Sequence, residues 1–186
     1  MRESYDFAIV GYGPVGQTLA ILLGQRGWRV GVFEKQPALY PLPRAVHFDH
    51  EVARILQATG IGDELPTLTE PAYTYEWRNA AGEMLLLIGM KDASLSGWPE
   101  SNMFAQPELE RHLDARVRAL PSVELHRGCE VADIRATTDE VALSLAAPSG
   151  ERHDVHGMSS AAMVRTASSA STWVQPSPTS ASSSTG

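Results

Sequence analysis

The chain opens with short apolar runs separated by glycine. YDFAIVG carries four consecutive apolar residues, Phe7 to Val10, and closes on a glycine, the pattern of a short buried strand. PVGQTLAILLGQR, from Pro14 to Arg26, sets Val15, Leu19, Leu22 and Leu23 at helical spacing, which predicts an amphipathic helix with Gly27 at its C-terminal end. RVGVFEK reads as a second strand, completing a strand-turn-helix-strand unit of the size a parallel crossover needs.

Beyond it, PALYPLPRA is a proline-rich loop that continues neither structure. DHEVARILQATG predicts a helix opened near Asp49 and stopped by Gly60. TYEWRNAAGEMLLLIG predicts two strands around the Asn79–Gly82 turn. QPELERHLDARVRAL predicts a helix with Pro107 at its start and Leu109, Leu113, Val117 and Leu120 on one face. VELHRGCEVADIRATTDEVALSLAAPSGE alternates apolar and polar residues between turn signals, as an antiparallel meander does.

Composition narrows the class of function. A formal net charge of −7, with no local basic cluster, argues against a nucleic-acid partner. The single cysteine, Cys129, leaves no internal disulfide and fits a reducing compartment. Glycines interrupt the first apolar run and Asp6 precedes it, so neither a signal peptide nor a membrane span is expected. The expectation is a soluble cytoplasmic protein.

The candidate chemistry sits in the first turn. Gly11-Tyr-Gly13-Pro-Val-Gly16 follows a strand and opens a helix. Gly11 permits the tight turn, Gly13 lets the backbone approach a pyrophosphate, and Gly16 lets the helix lie close to the sheet. Pro14 and Val15 complete the turn, whose helix N-terminus offers free N–H groups to phosphate oxygens. Glu34, 18 positions after Gly16 at the end of the second strand and followed by Lys35, suits the two ribose hydroxyls of a dinucleotide. A carboxylate there repels a phosphorylated ribose, which leaves FAD or NAD.

Other polar residues carry two readings each. Arg44 is a solvated loop arginine or a guanidinium aimed at a pyrophosphate or flavin edge. On spacing alone, Gln106 is a helix cap before it is a cofactor contact. His47 and His50 flank Asp49 but lack a nearby third ligand, so they read as polar residues at a helix start rather than a metal site. Cys129 reads as a small buried strand residue, and Trp77, Trp98 and Met103 read as core.

Together, DFAIVGYGPVGQTLAILLGQRGWRVGVFEK, PRAVHFDHEVARILQATGI and MFAQPELERHL resemble the group A flavoprotein monooxygenases, the aromatic-ring hydroxylases. The resemblance implies an α/β fold: a Rossmann-like FAD-binding domain of the glutathione-reductase type with an antiparallel meander, incomplete here, over residues 1–156. It implies FAD held by Gly11, Gly13, Gly16 and Glu34, with Arg44 and Gln106 at positions that contact FAD and Val131 near the adenine. It implies NADH or NADPH as co-substrate, with oxygen and a phenolic acid as the reacting partners. A non-catalytic nucleotide-binding module and an NAD-dependent dehydrogenase are the competing readings.

Residues 157–186 break the pattern. Ten of them are serine, against seven in all the residues before, and Arg165 is their one charge. That composition predicts an unstructured segment. The resemblance calls instead for a strand leading into a DG motif. The codons of this segment, taken one base out of register, permit VVGCDGANSFV from Met158 onward. Met163 followed by Val164 forces glycine in that frame, as does Trp173 followed by Val174. The segment is therefore expected to be an out-of-frame translation, leaving the edge of the first strand bare and the chain without turnover.

Overall fold

The computed structural model describes residues 4–136, 141–146, 152–158, 160–163 and 172–174. Two compact units make up the chain, one from residues 1–39 and 117–186, the other from Tyr40–Arg116.

The first unit is built on a parallel sheet. β1 (Phe7–Val10) leads through α1 (Pro14–Gly24) into β2 (Val30–Glu34), which pairs parallel with β1, Phe7 opposite Val30 and Val10 opposite Phe33. The helix spans the crossover as expected, but it buries a different face. Gly16, Gln17, Ala20, Ile21 and Gly24 are buried, whereas Val15 is 62% exposed. The cause is distance. A methyl carbon at Gly16 would fall inside 3.0 Å of the Gly11 carbonyl oxygen, and one at Gly24 would stand 2.6 Å from Val123 Cγ2. A helix held this close to its sheet turns Gly16, Ala20 and Gly24 inward, with Gln17 and Ile21 beside them, and leaves Leu19, Leu22 and Leu23 half-buried.

In the second unit, β3 (His47–Asp49) runs into α2 (His50–Leu56) and then a π turn, Gln57–Ile61. The Asp49 carboxylate accepts from Val52 N at 3.0 Å and caps α2. Gly60 leaves helical geometry at φ 88°, a left-handed conformation that suits glycine, so the stop falls where the sequence places it. After α3 (Leu65–Leu68) come β4 (Thr69–Pro71), β5 (Thr74–Arg78), β6 (Met84–Gly89) and β7 (Ser101–Phe104). β5 and β6 form the expected hairpin, with Asn79 N accepted by Glu83 O at 3.0 Å. Every residue of both strands is exposed, so Trp77 is not core: among the described residues no layer covers either face of its two-stranded ribbon. β7 pairs antiparallel with both β3 and β4, a small sheet the sequence did not announce. α4 (Gln106–Arg118) buries Leu109, Leu113 and Val117 as its spacing predicts.

β8 (Val123–Arg127) corrects another expectation. It belongs to the parallel sheet beside β2 rather than to the meander, Val30 opposite Val123 and Glu34 opposite Arg127. An alternating pattern suits the edge of a parallel sheet as well as a meander, so the pattern could not separate them. The meander proper is β9 (Glu130–Ala136), β10 (Val141–Ala146) and β11 (Arg152–Met158), antiparallel throughout. Its Val141, Leu143, Leu145 and Val155 close over Tyr5, Ala8 and Phe33 to form the core. Cys129 is half-buried and packs against this core.

The serine-rich segment is also different from its expectation. β12 (Ser160–Met163) pairs parallel with β1, Phe7 opposite Ser160 and Val10 opposite Met163, and β13 (Thr172–Val174) pairs antiparallel with β12. The β1 edge is therefore covered. A parallel ladder is made by main-chain groups, so it accepts a sequence chosen for other reasons. Residues 159, 164–171 and 175–186 of the segment lie outside the described residues. The sheet order is β13-β12-β1-β2-β8. Among the described residues, no helix is long and apolar enough to cross a membrane.

Candidate functional site

The strand order marks a candidate site in the first unit. From β1 the chain steps outward to β2 and β8, then returns to the other side of β1 as β12. The direction of winding reverses beside β1, and the crevice at the carboxyl ends of the strands at such a reversal is where open α/β sheets take ligands. Gly11 to Gly16 begin directly at the end of β1.

Each glycine of the turn does a separate job. Gly11 has φ 101°, a conformation other residues rarely adopt, and its N–H donates to Phe33 O at 2.8 Å. Gly16 has no room for a side chain, because Gly11 O lies against it. Gly13 is the opposite case: nothing stands within 4 Å of where its Cβ would be, and its φ of −79° and ψ of −173° are ordinary. It therefore faces open space directly ahead of the first turn of α1, where the unpaired N–H groups of the helix lie.

Tyr12 is fastened at both main-chain atoms. Its N–H donates to Glu34 Oε2 at 2.7 Å, and its carbonyl accepts from Gln17 Nε2 at 3.0 Å. The Arg127 guanidinium lies over its ring, 4.8 Å from the centroid. Glu34 also takes the Gln36 N–H on Oε1 at 2.8 Å, so each carboxylate oxygen holds one main-chain donor and keeps a second acceptor site. Sequence reasoning missed Tyr12, Gln17 and Arg127. Gln17 carried a faint signal, a polar residue one place beyond the third glycine, but its complete burial follows only from how closely the helix sits.

The remaining expected residues fall as follows. Pro14 is the first residue of α1, Val15 is exposed beside it, and Lys35 is exposed after Glu34. Val131 lies on β9 opposite Leu145, packed against the core.

In the second unit, Arg44 and Gln106 meet. Gln106 is buried, and its Oε1 accepts from Arg44 N and Ala45 N, each at 2.8 Å. Its side chain thus holds a loop 62 residues back and does not cap its own helix. The Arg44 guanidinium lies 4.7 Å from the Tyr40 ring centroid. His47 Nε2 is 2.8 Å from Ser101 Oγ, and His50 Nδ1 is 3.6 Å from Glu51 Oε1.

Below the sheet of the first unit lies a second polar cluster. The Tyr5 hydroxyl donates to Glu124 Oε2 and stands 2.8 Å from His126 Nε2. The His126 ring stacks on Phe33 with centroids 5.1 Å apart. Burial holds its pKa below the ordinary 6.5, against the opposing pull of Glu124.

Comparison with known proteins gives the family. The family model described as "FAD binding domain" matches residues 4–158. The chain is 41% identical over 133 residues to the probable NADH-specific resorcinol 4-hydroxylase of Rhodococcus jostii, covering 72% of this chain and 25% of that protein. It is 34% identical over 155 residues to the 3-(3-hydroxy-phenyl)propionate/3-hydroxycinnamic acid hydroxylase of Klebsiella pneumoniae, covering 83% of this chain and 28% of that protein. Among solved structures, p-nitrophenol 4-monooxygenase PnpA from Pseudomonas putida superposes with a TM-score of 0.77 at 26% identity, over 88% of this chain and 41% of that one. The chain spans about a quarter of the length of the curated relatives it matches.

Proposed function

Since this chain belongs to the FAD binding domain family, we propose that it is the FAD-holding part of a flavin-dependent monooxygenase that hydroxylates a phenolic aromatic acid. The observation that carries the reading is the turn from Gly11 to Gly16 at the winding reversal, open at Gly13 and closed at Gly16. Relatives named as hydroxylases of resorcinol and of hydroxyphenylpropionate support the substrate class, and the name of the first supports NADH as reductant.

In this reading the fold is of the glutathione-reductase type, and its residues divide the cofactor among them. Gly13 leaves room for the pyrophosphate; Pro14, which has no N–H, sets the first helical residue, and the N–H groups of Val15 and Gly16 face the phosphate charge. Glu34, with Lys35 beside it, takes the adenosine ribose on its remaining acceptor sites. Val131 is the residue near the adenine, and Arg44 and Gln106 are FAD contacts. When bound, FAD supplies the electron transfer from NADH or NADPH to oxygen that ring hydroxylation requires. The chain's own part is to bind and orient it.

The reading predicts that the purified chain takes up FAD and ADP, which share the pyrophosphate and adenosine, and discriminates against FMN, which lacks both. Flavin fluorescence titration measures this. Equal affinity for FAD and FMN, or binding of NAD in place of FAD, would sink it.

Residues 157–186 we read as an out-of-frame translation of the segment that follows the meander. Two observations support this: the glycine codons forced at Met163–Val164 and Trp173–Val174, and the place of β12. The other frame puts its apolar strand at codons 158 to 162, and the chain pairs Ser160–Met163 with β1 at nearly the same point. The DNA sequence across these codons decides it; a downstream frame with no continuation of the family would refute it.

A further inference from the structure

The glycine turn is held by its neighbours in the first unit. Gly11 N–H donates to Phe33 O on β2, and Gln17 Nε2 on α1 donates to Tyr12 O. β8 contributes differently, through a side chain. Arg127 ends that strand opposite Glu34, so the two side chains leave neighbouring parallel strands on the same face. Glu34 turns to the Tyr12 N–H, at 2.7 Å, and the Arg127 guanidinium turns to the Tyr12 ring, 4.8 Å from its centroid.

The strand end that carries Arg127 is itself fixed. Gly128 takes φ 71°, turning the chain out of β8, and Cys129 N donates back to Glu34 O at 3.1 Å. Arg127 and Glu34 therefore share one hydrogen-bonded corner of main chain. Tyr12 meets both side chains and is 2% exposed, with its N–H on the carboxylate and its ring under the cation. A guanidinium suits that place, because it is planar, always charged and more weakly hydrated than an ammonium.

The consequence falls on Glu34. Its Oε2 keeps the Tyr12 N–H while Tyr12 stays in place, and that bond helps set which way the remaining acceptor sites face. We propose that Arg127 is a positioning residue for the ribose subsite. By pinning the Tyr12 ring it holds the Tyr12 N–H on Glu34 and so aims the carboxylate at the ribose hydroxyls. It acts through Tyr12 without touching the nucleotide. This rests on the reading of Glu34 as the ribose contact.

Two measurements on the 186-residue chain test it. The first is amide hydrogen exchange without ligand, in Arg127→Met, which keeps an apolar stem and removes the charge. The Tyr12 amide should exchange about 3- to 30-fold faster, the worth of a cation on a ring, while the Val32 amide within β2 keeps its rate. An unchanged Tyr12 rate overturns the proposal. So does an equal acceleration at Val32, which would mark general loosening.

The second is nucleotide selectivity. The unaltered chain should bind ADP about 10- to 150-fold more tightly than 2′-deoxy-ADP, because the missing hydroxyl gives up a hydrogen bond to a charged group. In Arg127→Met that ratio should fall by about 3- to 30-fold. A merely structural role weakens both nucleotides alike, leaves the ratio as it was, and overturns the proposal. Tyr12→Leu removes the ring and should lower the ratio in the same way, and adding Arg127→Met to it should lower it no further. A further fall in the double variant overturns the route through Tyr12. If Arg127→Met does not fold, an unchanged ratio in Tyr12→Leu overturns the proposal instead. If the unaltered chain binds both nucleotides equally, or neither, the ribose reading of Glu34 fails and the aim of its carboxylate with it, while the Tyr12 exchange rate still judges the brace.

Discussion

Gly13 and Gly16 lie three residues apart in one turn, and replacing each with alanine should have opposite consequences. At Gly16 the added methyl falls inside 3.0 Å of Gly11 O, 3.1 Å from Gly11 C and 3.6 Å from Ile9 Cγ2. The nearest obstacle is main chain, which cannot rotate aside as a side chain would. Relief requires α1 to lift from the sheet, and overpacking of this kind costs about 1–3 kcal/mol. At Gly13 the methyl meets nothing within 4 Å, and the backbone angles are ones alanine adopts freely. There the substitution stabilises the fold by about 0.4–1 kcal/mol, because the unfolded chain loses freedom. Yet that methyl enters the space assigned to the pyrophosphate. Displacing the phosphates from charge-assisted hydrogen bonds with the helix N-terminus costs about 1.5–3 kcal/mol, a factor of roughly 10 to 150 in FAD affinity. Urea denaturation and flavin fluorescence titration on both variants give the comparison. Gly16→Ala should lower the midpoint, while Gly13→Ala should hold or raise it and weaken FAD. A Gly13→Ala variant that loses stability as Gly16→Ala does, or binds FAD as the unaltered chain does, refutes the assignment of that space.

Two further outcomes follow from the surroundings. Asp49→Ala removes the acceptor for Val52 N at the start of α2 and should cost about 1 kcal/mol in denaturant, with Asp49→Asn close to neutral. His126 has its pKa lowered by burial, so the folded state favours its neutral form: its contribution is complete above the ordinary 6.5 and is lost as pH falls through the lower folded value. His126→Gln should therefore flatten the difference in urea midpoint between about pH 7.5 and about pH 5, and an unaltered difference would disprove the linkage.

What the sequence discloses depends on whether the deciding contact is local. The β1–α1–β2 unit, the β5–β6 hairpin and the buried face of α4 each follow from residues within a few positions of one another. The main-chain shape of the glycine turn is local in the same sense, whereas Glu34 meets it from 22 residues beyond Tyr12. The buried face of α1 did not follow, because apolar spacing counts large residues and close packing selects small ones. β8 was misplaced because an alternating strand does not name its neighbour. Trp77 was taken for core because a large ring normally finds a partner layer, and among the described residues its hairpin has none. Gln106 was out of reach for a simpler reason: the groups that use its oxygen come from 61 and 62 residues earlier.

One carboxylate in this turn has two masters. Glu34 is the expected reader of the ribose, and it also anchors the Tyr12 N–H that gives the glycine loop its shape. On the reading of Glu34 as the ribose contact, selectivity and architecture share one side chain. A lineage drifting toward a phosphorylated ribose would remove its negative charge, and a residue without a side-chain acceptor of this reach would also free the Tyr12 N–H, while the Gly11 N–H stayed on Phe33 O. A glutamine, which loses the charge and keeps one acceptor oxygen, is the step that would separate the two.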